Sequence, residues 1–119
     1  MAKLVPKIRL LVGAVVALGP GKAELLEAIA RSGSISAAAR SMSMSYRRAW
    51  LLVDAMNMAF QQTLVETLTG GNGGGGARLT DFGEDVLHRY RRMEARAAQA
   101  VKPHLQEFSG LLRRRRRGT

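Results

Sequence analysis

The spacing of apolar residues changes several times along the chain, and each change marks an element. Residues 8–18 are rich in Val and Leu and stop at Gly19-Pro20-Gly21. The run predicts a buried N-terminal strand, with a short buried helix as the alternative because Gly13 and the alanines weaken a strand. Residues 22–31 place Leu25, Leu26 and Ile29 on one helical face, and Ser32-Gly33 supplies a C-cap glycine. Ser34 or Ser36 caps a second, short helix ending near Met42. Its Ala37, Ala38 and Ala39 permit a steep helix crossing, while Ile35, Ala39 and Met42 face inward. Ser43-Met44-Ser45 forms a turn with Met44 inward, and Ser45 caps a third helix running to about Gln62. With Ala49 at the centre of its buried face, Leu52, Val53, Met56 and Phe60 fall on the same side. Arg47, Asp54 and Met58 fall opposite. The size of Trp50 assigns it to a seam between this helix and the N-terminal layer.

Residues 63–69 alternate polar and apolar positions and read as a strand. Residues 70–76 are glycine except Asn72, and residues 77–79 return as a second strand. Thr80 or Asp81 then caps a long helix, and Asp81 with Glu84 has capping-box spacing. Val86, Tyr90, Met93, Ala97 and Ala100 recur at spacings of four and three, a heptad-like seam. Pro103 kinks or ends this helix near Lys102. The predicted fold is mostly α, with a small β-hairpin wing and an N-terminal strand: a winged helix-turn-helix with a long C-terminal helix. Residues 1–105 form the domain, including the dimerisation helix, and residues 106–119 form a basic, disordered tail.

Composition narrows the chemistry. The chain has 119 residues, enough for one core without staples, and no cysteine, which excludes disulfides and thiolate metal sites. Its formal charge is +10, of which the arginines at 113–117 supply half. A polyanion is the natural partner, with nucleic acid ahead of an anionic lipid surface. The basic start and apolar run at residues 3–18 resemble a signal peptide. They lack a clean cleavage site, and the run is too short to span a bilayer. A cytoplasmic protein with no membrane partner is expected.

The third helix begins with an aromatic and two cations just after its cap, which suits a major groove. Ser45, Tyr46 and Arg47 are the candidate base-edge readers, and Arg48 a phosphate contact. Ser34 and Ser36, at the start of the second helix, can hold another phosphate. The glycine loop satisfies a nucleotide-binding pattern only trivially, because no Lys-Ser/Thr follows and the loop joins two strands. It suits a wing tip, with Asn72, Gly73 and Arg78 reaching the duplex. The seam Val86, Tyr90, Met93, Ala97 and Ala100 packs either on its own domain or on a second subunit; a homodimer is expected. His88 and His104 join no metal cluster, and no nucleophile has its base, so neither a cofactor nor an enzymatic activity is expected. The terminal arginines are either an arm on DNA or a solubilising end.

Gly33-Ser34-Ile35-Ser36, Ser45-Tyr46-Arg47-Arg48-Ala49-Trp50, Thr69-Gly70-Gly71, Ala77-Arg78-Leu79-Thr80 and Phe82-Gly83 together resemble the N-terminal domain of ModE-type molybdate-responsive regulators, which is similar to LysR-type winged helices. The resemblance covers roughly residues 7–98. It implies a dimeric, sequence-specific DNA-binding transcriptional regulator, with contacts on Ser34, Ser36, Ser45, Tyr46, Arg47 and Arg48 and the wing at residues 72–78. Full-length members carry C-terminal oxyanion-binding β-barrels. This sequence stops soon after the long helix, so it is expected to lack that domain and to carry no small-molecule effector site. The alternative is an interaction partner that heterodimerises with a full-length regulator.

Overall fold

The computed structural model describes residues 4–69 and 75–113. Its elements in chain order are β1 (Leu10–Val12), β2 (Val15–Leu18), α1 (Pro20–Ser32), α2 (Ile35–Ser41), α3 (Tyr46–Ala59), β3 (Val65–Leu68), β4 (Gly76–Leu79) and α4 (Asp81–Leu111). This is a winged helix-turn-helix extended by a long C-terminal helix.

The single N-terminal strand expected from the Val/Leu run is instead an antiparallel hairpin, β1 with β2. Gly13 at φ 63° begins the two-residue connection, a conformation that side chains resist and hairpin turns require. Leu11, Val12 and Val15 are consequently exposed, while Ala17 and Leu18 are buried and Leu10 packs against the core from its edge.

Pro20 opens α1, where its missing N–H costs nothing, and Gly33 at φ 78° closes it. Leu25, Leu26 and Ile29 are fully buried beneath α2 and α3. Ala38 and Ala39 are buried at the helix crossings, where a larger side chain would push the helices apart.

The turn after α2 is a Schellman closure. Met44 N–H donates to Ala39 O (3.0 Å) and Ser43 N–H to Arg40 O (3.2 Å), with Ser43 left-handed at φ 55°. Met44 thereby packs against the core. Ser45 then caps α3 by accepting from Arg48 N–H at 3.1 Å. Ala49, Val53 and Met56 form its buried face, and the helix ends at Ala59, a little before the predicted Gln62.

In the wing, β3 and β4 pair in the register Val65–Leu79, Glu66–Arg78, Thr67–Ala77 and Leu68–Gly76. Ala77 N–H donates to Gly33 O at 2.8 Å, which ties the wing to the α1–α2 junction. Asn57 of α3 clamps the other side. Its Nδ2 donates to Val65 O, and its Oδ1 accepts from the Leu64 and Val65 amides.

Thr80 caps α4, accepting from Gly83 N–H at 2.9 Å and donating to Thr63 O at 2.6 Å. The helix does not stop near Lys102. It carries Pro103 within it and continues to Leu111, so residues 106–111 are helical where an irregular tail was expected. No helix among the described residues is long and apolar enough to cross a membrane.

Candidate nucleic-acid interface

A helix start presents its side chains in a fixed arrangement when its cap and its buried face are held together. Ser45 consumes the Arg48 amide, while Ala49, Val53 and Met56 anchor the opposite face. Tyr46, Arg47 and Arg48 are left projecting into solvent. Neither arginine enters an ion pair among the described residues, whereas Arg78, Arg89 and Arg91 all do. The first turn of α3 therefore presents two uncompensated positive charges.

Trp50, assigned from its size to an internal seam, is 43% exposed. One residue past Ala49, it lies about 100° around the helix and leaves the buried face. It lines a shallow surface hollow with Tyr46, Arg47 and Leu51.

The two candidate serines of α2 differ. Ser34 is the cap, its oxygen accepting from Ala37 N–H at 3.0 Å, and Ser36 is exposed in the first turn. Arg78 is placed less simply. Its Nε lies 2.6 Å from Glu66 Oε1 across the wing strands, beside a hollow that also contains Asp81 and Glu84. Its charge is balanced locally, unlike that of Arg47. Asn72 and Gly73 lie outside the described residues.

The fold also assembles a second basic cluster that no sequence motif marks. Lys7, Arg9 and Lys22 line a hollow of about 380 Å³ with Arg48, Met44 and Leu52. Lys22 Nζ donates to Val16 O, and burial lowers its pKa. Residues from separate parts of the chain build this patch, so only their charge signals it in sequence.

The predicted dimer seam divides. Tyr90 is 2% exposed, and its hydroxyl donates to Ile8 O at 2.6 Å. It is spent inside its own chain and is not a free interface residue. A heptad pattern cannot distinguish an internal partner from a second copy. Val86 and Met93 are half-buried against the same core, Ala97 is half-buried, and Ala100 is exposed. Burial, then the Glu94 carboxylate, push the Tyr90 phenol up. Next to it, Arg91 grips Glu27 of α1 bidentately (3.0 and 2.7 Å) and Glu94 at 2.7 Å. The Glu27 hydrogen bonds, partly offset by burial, raise the guanidinium pKa. This clamp sets α4 against α1.

Among the described residues, no three His, Asp or Glu side chains are grouped to hold a metal ion. What the arrangement offers is an anion-binding edge with an aromatic flank.

Comparison with known proteins identifies the family and the fold. The family of bacterial regulatory helix-turn-helix proteins of the lysR type matches residues 21–84, more than half of the chain. The molybdenum transport protein ModE of Azotobacter vinelandii is 39% identical over 97 residues, covering 79% of this chain and 36% of that protein. The DNA-binding transcriptional dual regulator ModE of Escherichia coli K12 is 45% identical over 71 residues, covering 60% of this chain and 27% of that protein. The chain thus spans about a third of the length of the curated relatives it matches. Among solved structures, the DNA-binding domain in the CbnR_DBD–DNA complex superposes with a TM-score of 0.57 at 21% identity, covering 73% of this chain and 94% of that one. That likeness concerns the fold.

Proposed function

The chain belongs to the lysR family of bacterial regulatory helix-turn-helix proteins, and on that premise we propose that it is a ModE-type transcriptional regulator that binds double-stranded DNA in the cytoplasm. The observation that carries this reading is the capped first turn of α3, where Arg47 and Arg48 project without acidic partners among the described residues. Arg47, near the outward axis of the helix, contacts a base edge, with guanine O6 and N7 as its best partners. Arg48 lies to the side, next to Lys7, Arg9 and Lys22, and holds backbone phosphate. Ser34 and Ser36 approach a phosphate at the start of α2, and Asn72, Gly73 and Arg78 belong to the wing that lies alongside.

Two copies read two half-sites. The exposed hairpin residues Leu11, Val12 and Val15 and the outward part of α4 around Ala97 and Ala100 supply the contact between them. Neither a cofactor nor an effector is needed for the docking itself.

Selection of bound sites from a random duplex pool, repeated at two salt concentrations, tests the reading. A recovered palindromic site with strongly salt-dependent affinity is the expected result. Recovery of no preferred sequence would overturn it.

A further inference from the structure

The first two turns of α3 expose five side chains: Tyr46, Arg47, Arg48, Trp50 and Leu51. Three are large and apolar or aromatic, with Tyr46 54%, Trp50 43% and Leu51 51% exposed. Their exposure is unfavourable in water, so their concentration beside two cations calls for an occupant. The three line one shallow hollow together with Arg47. Leu51 also borders a second hollow, shared with Ser45, Arg47, Arg48 and Leu52. The occupant must therefore be apolar where it meets the hollow and anionic around it.

The major groove meets both requirements. Phosphates line its walls, and the C5-methyl of thymine is the apolar group on its base edges. We propose that the hollow formed by Tyr46, Trp50 and Leu51 receives the methyl group of a thymine next to the base pair contacted by Arg47. The inference rests on α3 being the DNA-docking helix. It adds a specificity element that polar contacts lack, because a methyl in this position separates T·A from A·T and from both G·C orientations. Leu51 and Arg47 are four residues apart, so they stack on one face and meet neighbouring base pairs.

The test uses the duplex recovered by selection, with each thymine replaced in turn by deoxyuridine, which removes only the methyl. Deoxyuridine at one thymine per half-site is expected to weaken binding about fourfold, the effect of losing one buried methyl. In Leu51→Ala and Trp50→Phe the same replacement should matter less, most clearly for Leu51→Ala. Both side chains are exposed, and circular dichroism checks that the variants remain folded. Trp50 is the sole tryptophan, so its emission should shift to the blue on the methylated duplex and less on the deoxyuridine one. Specific binding indifferent to every deoxyuridine would overturn the inference while leaving the DNA-binding reading intact. So would an undiminished penalty in Leu51→Ala, or a Leu51→Ala variant that keeps full affinity but changes self-association. Failure to select any duplex would overturn both.

Discussion

Asn57 and Val65 exchange a pair of hydrogen bonds across the junction of α3 and the wing. The amide nitrogen donates to Val65 O at 3.0 Å, and the amide oxygen accepts from Val65 N–H at 3.2 Å and from Leu64 N–H at 2.9 Å. One half-buried side chain thus satisfies three backbone groups that have no other means of joining a helix to a strand. Asn57→Ala should cost roughly 2 kcal/mol, because it removes three bonds and leaves partly buried amides without partners. Asn57→Asp should also be destabilising, since a carboxylate cannot donate to Val65 O. Urea unfolding measures the cost. Faster amide exchange at Leu64 and Val65 than elsewhere in the core would locate it.

Gly83 offers a test with an unusual sign. Alanine within a helix normally stabilises relative to glycine by about 1 kcal/mol. Here a Cβ would sit 2.1 Å from Leu64 O, a backbone atom already accepting from Thr80 N–H. Gly83→Ala should therefore destabilise by roughly 2–3 kcal/mol as α4 is forced off the wing base. A melting temperature equal to or above that of the unaltered chain would show that the close approach does not exist.

The two exposed arginines should fail differently. Arg47→Ala is expected to relax base preference at one position per half-site, at about 1–3 kcal/mol of discrimination. Arg48→Ala should weaken all sequences alike and flatten the slope of log K against log salt by about 0.9 for each phosphate no longer neutralised. Equal losses on every duplex for both variants would refute the division of roles.

Tyr90 predicts an alkaline limit. Its pKa is raised in the fold, so its contribution to stability is fully present below the ordinary phenol range and is lost as pH rises through the raised value. Stability should therefore fall above about pH 10, with a smaller fall in Tyr90→Phe. Below that pH the variant should be less stable by about 1 kcal/mol, having given up the hydrogen bond to Ile8 O. Subtracting the two profiles isolates Tyr90 from Lys22, whose lowered pKa acts in the opposite direction over a neighbouring range.

Much of the helix-turn-helix is legible in the chain because local chemistry decides it. The Ser34 and Ser45 caps, the αL glycine at Gly33 and the alanines of α2 act within a few residues of themselves. The N-terminal hairpin is harder to see, although Gly13-Ala14 has the glycine-first pattern of a two-residue turn; the apolar run on both sides hides it. Size alone misplaces Trp50, whose angular position next to Ala49 already turns it outward. The partners of Tyr90 and Asn57 are illegible for a different reason. Each bonds to backbone carbonyls or amides, which nearly every residue carries and no sequence pattern distinguishes. Arg78 is recognisable as a wing cation, but its pairing with Glu66 depends on strand register.

Leu64 has a wider consequence. Its amide is held by Asn57 of α3, its carbonyl by Thr80 at the root of α4, and the same carbonyl abuts Gly83. Three elements, α3, the wing base and α4, therefore meet at one residue. A displacement at the root of α4 would therefore be passed through the backbone of Leu64 to both α3 and the wing.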